Sequence, residues 1–312
     1  MNIQKNKDQF SNKKINKLEF IESMHEYHKI LFDFAKNLRD TEIARIEISD
    51  NNVIFSTRNN DFHSEESKFY VDILDKRVTP IEAFNFNTYE KEDSEMLYRL
   101  VKSEDIIFDI GANIGWYSIH LAKMYKNATI YAFEPIPETF NQLKKNSELN
   151  RVNNIVFNNF ALSDKTQILP FFYSPNVTGA ASSLNIIGDD KMLELSCQSN
   201  TIDNYVIENK INKLDFIKCD VEGAELMVFK GGVKSIMKFK PVVFSEMLRK
   251  WAAKFGYHPN DIIIFFKELG YNCYVTELGK LKLMKIVDDE TIETNFFFLH
   301  EHSHSDIILK LS

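Results

Sequence analysis

The chain has little cysteine, no excess of basic charge and no long apolar run, and each shortage closes off a class of function. Its three cysteines, Cys197, Cys219 and Cys273, fall at no metal-ligand spacing, and an odd number argues against a disulfide framework. They read as reduced, mostly buried thiols. The formal net charge is −7, and no basic stripe runs through the C-terminal two-thirds. Phosphate binding needs clustered Lys and Arg, so nucleic acid is not the expected partner. No apolar run nears the roughly 20 residues that cross a bilayer. The opening Met1-Asn2-Ile3-Gln4-Lys5-Asn6-Lys7-Asp8 lacks the apolar core of a signal peptide. The expectation is a cytoplasmic protein without a membrane span, and no internal repeat is visible. What the chain does have is 312 residues, 44% of them hydrophobic, with 26 Phe. That suffices for one large domain with a smaller addition.

The most informative stretch is Ile106-Ile107-Phe108-Asp109-Ile110-Gly111-Ala112-Asn113-Ile114-Gly115-Trp116-Tyr117-Ser118. It reads as a buried parallel strand, a tight turn and a helix start, an arrangement that brings backbone N–H groups near a nucleotide-like ligand. The turn is Gly111-x-Asn113-x-Gly115 rather than G-x-G-x-x-G, and Asp109 precedes it by two residues. A carboxylate there would repel a pyrophosphate but suits a ligand carrying an ammonium and a sulfonium. A second strand, Ile130-Tyr131-Ala132-Phe133, ends in Glu134, where an acid accepts hydrogen bonds from ribose hydroxyls. Together these features favour S-adenosylmethionine over NAD. Asn113 is expected to contribute its amide to the turn or to the cofactor, and Trp116 and Tyr117 to serve packing.

The motifs Asp109-Ile110-Gly111-Ala112-Asn113-Ile114-Gly115, Phe133-Glu134-Pro135, Ala161-Leu162-Ser163-Asp164, Thr201-Ile202-Asp203 and Phe216-Ile217-Lys218-Cys219-Asp220-Val221-Glu222-Gly223-Ala224-Glu225 occur in that order. In this the chain resembles the FkbM family of S-adenosylmethionine-dependent methyltransferases, over about residues 85–300. The resemblance implies an O-methyltransferase acting on a hydroxyl of a sugar or other secondary metabolite. It also implies an antiparallel last strand, Asn295–Leu299, beside the fifth.

The fold expected is α/β: a doubly wound, Rossmann-like, mostly parallel sheet of the class I methyltransferase type. Seven strands fall near 106–110, 129–133, 155–160, 214–219, 241–245, 272–276 and 295–299, alternating with helices near 115–125, 137–149, 224–238 and 259–269. Residues 1–16 read as a flexible tail, 17–88 as a cap of one helix and short strands, and 89–312 as the catalytic domain. The cap helix carries Phe20, Ile21, Met24, Tyr27, Leu31 and Phe34 at helical spacing. Its polar face mixes both signs, which suits packing on the domain or a homo-oligomer contact. Residues 174–200 read as a long loop at the sheet edge, a candidate lid whose Ser182 and Ser183 donate to substrate.

Transfer to a hydroxyl needs alignment and a base. Asp220 and Glu246 end adjacent strands at the cofactor edge and are the base candidates, with Glu222 facing the acceptor. Asp220 takes the proton, or it holds the cofactor ammonium while Glu246 is the base. Asp109, Gly111, Asn113, Gly115, Glu134, Ala161 and Asp164 are the expected cofactor contacts, Ala161 at the adenine edge and Asp164 at its amine. Mg²⁺ held by Asp220, Glu222 and Glu246 is the lesser reading, because spacing in sequence cannot establish that the three acids converge on one pocket, and no metal ligand is assigned. Two other readings stay open: an S-adenosylmethionine-binding module without turnover, and an NAD-dependent oxidoreductase.

Overall fold

The computed structural model describes residues 2–50, 52–60, 62, 65–174, 177–185 and 192–312. The chain opens with helices α1 (Ile3–Ser11) and α2 (Lys17–Asn37), then an antiparallel sheet of β1 (Ile43–Ser49), β2 (Asn52–Thr57) and β3 (Lys68–Tyr70), then α3 (Thr79–Asn85) and α4 (Lys91–Leu100). The alternating part runs β4 (Ile106–Ile110), α5 (Trp116–Met124), β5 (Thr129–Phe133), α6 (Pro137–Asn150) and β6 (Ile155–Asn158). An insertion follows, made of β7 (Ala161–Leu162), β8 (Gln167–Ser174), β9 (Val177–Ser182) and β10 (Leu193–Asn200). Then come α7 (Ile202–Glu208), β11 (Phe216–Cys219), α8 (Glu225–Lys230), α9 (Val233–Phe239), β12 (Val242–Glu246), α10 (Arg249–Ala252) and α11 (Pro259–Glu268). The chain closes with β13 (Tyr271–Glu277), β14 (Lys280–Met284), β15 (Asn295–His300) and α12 (Ser305–Leu311).

The main sheet has the order β14-β13-β15-β12-β11-β4-β5-β6. Its five strands β6, β5, β4, β11 and β12 are parallel neighbours, and β15 pairs antiparallel with β12 as expected. Successive residues serve opposite cores: Ile107, Ile130, Phe216 and Phe244 pack under α4 to α6, while Phe108, Phe133, Ile217 and Val243 pack under α7 to α11. Strands buried on both faces are apolar throughout rather than alternating, which is why these runs were legible. All five parallel strands end on the same edge.

The structure corrects four expectations. Residues 3–11 of the supposed tail are helical, because Asn2 caps the first turn and Phe10 stacks on Phe20 with ring centroids 4.6 Å apart. The sheet has eight strands, not seven, since the chain turns back after β13 at Leu278 and Gly279, both with positive φ, and adds β14. Residues 174–200 are not simply a loop. Their described parts form, with β7 and β8, a four-stranded sheet of order β7-β10-β8-β9; residues 175–176 and 186–191 lie outside the described residues. The reason is a period-two pattern: Phe171, Tyr173 and Cys197 point inward onto Ile136 and Ala161. The helix expected over 224–238 breaks at Gly231, where the backbone approaches Ser163 so closely that a Cβ would stand 2.0 Å from its carbonyl oxygen.

The cap helix α2 is held at its start by Asn16 and Glu19 in a capping box, yet none of its residues is buried. The cap's firmer tie to the sheet is a pair of asparagines on α6. Asn146 accepts from the Tyr70 N–H and donates to the Ile114 carbonyl, both at 2.9 Å, and Asn150 bonds the backbone of Lys68 in the same way. Asn146 thereby links β3 to the turn after β4. Asn146→Leu strands one donor and one acceptor in a fully buried place and is expected to cost about 1–3 kcal/mol. The check is a urea denaturation midpoint, and an unchanged midpoint would remove Asn146 from this role.

Candidate active site

At the shared strand edge the turn after β4 is locked from within. Gly111 and Ala112 donate their N–H groups to the Phe133 carbonyl, both at 3.0 Å, and Gly115 donates to the Ala112 carbonyl. The Asn113 N–H donates to Glu134 Oε2 at 3.0 Å, and the Ile114 N–H to Asn113 Oδ1 at 2.6 Å. Every N–H from 111 to 115 is therefore used inside the protein, and the expected approach of these groups to a ligand is not made. The Asn113 side chain satisfies the turn itself. Glycine is required at Gly111, with φ +75°, because a Cβ would lie 1.8 Å from the Asp220 carbonyl oxygen. It is equally required at Gly115, with φ +92°, where a Cβ would strike Leu143 at 2.4 Å.

Glu134 sits at the end of β5 and accepts from the N–H groups of Asn113 and Ile136. Burial raises its pKa to about 7, against the pull of those two donors. Beneath the turn, Asp109 is fully buried on β4: its Oδ2 accepts from Ser118 at 2.6 Å and its Oδ1 lies 3.5 Å from Lys218 Nζ. Direct contact with a ligand ammonium is thus closed to Asp109. Lys218, on β11, donates to the Gly111 carbonyl at 2.8 Å and lies 3.5 Å from Asp220 as well. Burial works to lower the Lys218 pKa, but Asp220 and Asp109 outweigh it and hold the ammonium charged.

The segment after β11 carries the acids. Glu225 opens α8 and accepts from the N–H groups of Val221 and Gly223, with Tyr257 OH on its second oxygen, so it is a cap. That turn holds Glu222 at φ +54°. The carbonyl of Glu222 accepts from Ser182 Oγ at 3.0 Å, which anchors β9 over the turn. Carboxylate oxygens of Asp220, Glu222 and Glu246 lie within 4.8 Å of one another. The pKa values of Glu222 and Glu246 are raised, first by burial and then by Asp220.

One cavity of about 230 Å³ brings these features together. Gly111, Asn113, Glu134, Ala161, Ser183, Asp220, Glu222 and Glu246 all line it. Asp109, Gly115, Asp164 and Ser182 stand off its surface. Asp164 is displaced by its neighbour Ser163, whose hydroxyl bonds it at 3.4 Å and which lines the cavity in its place. Trp116 and Tyr117 pack, as expected, and also border the cavity. Sequence reasoning missed Lys218, Arg77, Tyr89, Phe171 and Trp251, all lining. A lysine inside the apolar run of β11 was the one readable sign; the rest arrive from the cap, the insertion and α10.

Residues 109–273 match the model of the methyltransferase FkbM domain, a span that includes the turn, Glu134 and all three clustered acids. The chain is 24% identical over 191 residues to a hexuronic acid methyltransferase of Haloferax volcanii, covering 61% of this chain and 73% of that protein. It is 30% identical over 157 residues to a methyltransferase of Sordaria araneosa, covering 41% of this chain and 61% of that one. A solved FkbM methyltransferase of Methylobacillus flagellatus aligns with a TM-score of 0.43 at 16% identity, over 73% of this chain and 55% of that chain. The family resemblance carried by the motifs is borne out: the chain belongs to the FkbM family of methyltransferases.

Proposed function

We propose that the protein transfers the methyl group of S-adenosylmethionine to a hydroxyl of a sugar or related small metabolite, with carboxylate assistance. One observation carries this reading: Glu134 and the acid trio line a single cavity together with a glycine turn that offers no N–H to an anion. A pyrophosphate needs such donors, so NAD is disfavoured. In the proposed pose Glu134 accepts from the ribose hydroxyls, and the backbone of Ala161 to Ser163 borders the adenine. The acceptor oxygen lies in line with the sulfonium methyl, on the Asp220–Glu246 side. The oxygen forms the new bond to carbon, the sulfur–methyl bond breaks with its electron pair left on sulfur, and the hydroxyl proton passes to a carboxylate. Alignment of this kind supplies about 7–11 kcal/mol of a barrier. Glu246 is the base in this reading, since burial and Asp220 make its carboxylate the more proton-hungry. A sugar acceptor is supported by the relative named for a hexuronic acid substrate.

Titration calorimetry with S-adenosylhomocysteine beside NAD tests the cofactor. The homocysteine product is expected to bind and NAD not to, with affinity falling at least about tenfold in Glu134→Ala, the scale of one lost charge-assisted bond pair. Wild-type affinity is further expected to weaken as pH drops through about 7, because Glu134 then protonates and the ribose prefers the carboxylate. The weakening is at most about tenfold per pH unit and is absent in Glu134→Gln. Binding of NAD alone, or of neither ligand, would overturn the reading. Product binding without turnover of any hydroxyl acceptor would leave a non-catalytic module.

A further inference from the structure

The acceptor side of the cavity is more acidic than a methyl transfer requires. Of the nearby cations, Arg77 is engaged by Glu82 at 2.6 Å, and Lys218 is shared between Asp109 and Asp220. Lys250 is exposed and stands 4.2 Å over the ring of Trp251. Among the described residues no ion pair or hydrogen bond reaches the carboxylates of Glu222 and Glu246, although the charges of Lys250 and Arg77 are felt at Glu222. Glu222 Oε2 is sealed from solvent with no hydrogen-bond partner, a costly state for a carboxylate oxygen. That orphaned atom belongs to one of three carboxylates on two strand ends, and all three line the same cavity.

We propose that Asp220, Glu222 and Glu246 bind one hard divalent cation, of the Mg²⁺, Mn²⁺ or Ca²⁺ class, which takes the acceptor's hydroxyl oxygen as a further ligand. The spacing brings the three within reach of one ion: their oxygens lie within 4.8 Å of one another, inside the span of at most about 4.6–5.2 Å for ligands on a Ca²⁺-sized cation, and a smaller Mg²⁺ draws them to about 4.2 Å or less. Among the described residues this trio is the single group with such spacing. Purely carboxylate ligands select a hard cation rather than zinc or copper, and none of the three buried cysteines lines the cavity. The ion adds positive charge where Arg77 and Lys218 are already paired with other acids, and gives the Glu222 carboxylate a partner. It also makes a coordinated hydroxyl a better proton donor, while each acid keeps a second oxygen to receive that proton. This inference rests on the methyltransferase reading only for the acceptor's identity; the cation site itself follows from the carboxylates.

The test is Mn²⁺ binding, followed by loss of the free-ion electron paramagnetic resonance signal, on the full chain without acceptor. Wild type is expected to take up one Mn²⁺ per chain, with Mg²⁺ competing it off. Glu222→Gln and Glu246→Gln should each weaken binding about tenfold or more. S-adenosylhomocysteine affinity, measured on the same samples, should stay within about threefold and reports that each variant is folded. No stoichiometric Mn²⁺ in wild type, or equal uptake by both Gln variants, would overturn the cation site. Failure of S-adenosylhomocysteine to bind wild type would instead overturn the cofactor reading, and the two failures are read separately.

Discussion

Glu246→Gln is expected to lower kcat by about 10²–10⁴-fold, the range that a positioned general base contributes. Gln keeps the shape and polarity of the side chain but cannot take a proton. Glu246 ends β12 beside β11, in contact with the cavity and within reach of Asp220 and Glu222. Among the described residues no ion pair or hydrogen bond occupies its carboxylate, so an oxygen is left to receive the proton even when the other binds a cation. S-adenosylhomocysteine affinity should be nearly unchanged, since the proposed cofactor contacts are Glu134 and Ala161, which also line the cavity. The assay is initial rate at saturating S-adenosylmethionine and saturating Mg²⁺, so that loss of a weakened cation does not masquerade as loss of the base. Retention of kcat within about threefold would move the role to Asp220.

Lys218→Met should destabilise the protein by about 3–5 kcal/mol, the cost of leaving a buried charge without its partner. Lys218 and Asp109 have side chains only 5% and 1% exposed, so water cannot take over from either. With the ammonium gone, Asp109 keeps only the Ser118 hydroxyl, and the Gly111 carbonyl loses its donor. Asp220 suffers less because its side chain is 31% exposed. Adding Asp109→Asn to Lys218→Met removes the stranded charge and should recover most of the loss, a coupling that a double-mutant cycle reads directly. Equal loss in the single and double variants would show that packing around the lysine stem, rather than its charge, holds the strands. S-adenosylhomocysteine binding should also weaken in the single variant, because Lys218 holds the turn through the Gly111 carbonyl.

The sequence by itself determined the elements that short-range chemistry decides. The apolar runs of β4, β5, β11 and β12 could only be doubly buried parallel strands, and Gly111 and Gly115 could only mark a left-handed turn. Glu134, Asp220 and Glu246 stand out in the sequence because each directly follows or closes such a run, and all three line the one cavity. The insertion was missed because its period-two pattern is split by polar residues, with partners about 25 residues apart on β8 and β10. Asp109 was placed at the ligand because its position along the strand is visible in sequence, whereas the lysine that buries it comes from 109 residues later. Tertiary structure alone decided that pairing, the meeting of three acids within 4.8 Å, and the sealing of the turn's N–H groups. Local pattern reports which residues are buried and how the backbone turns. Charge compensation is set by distances between strands, which no local pattern encodes.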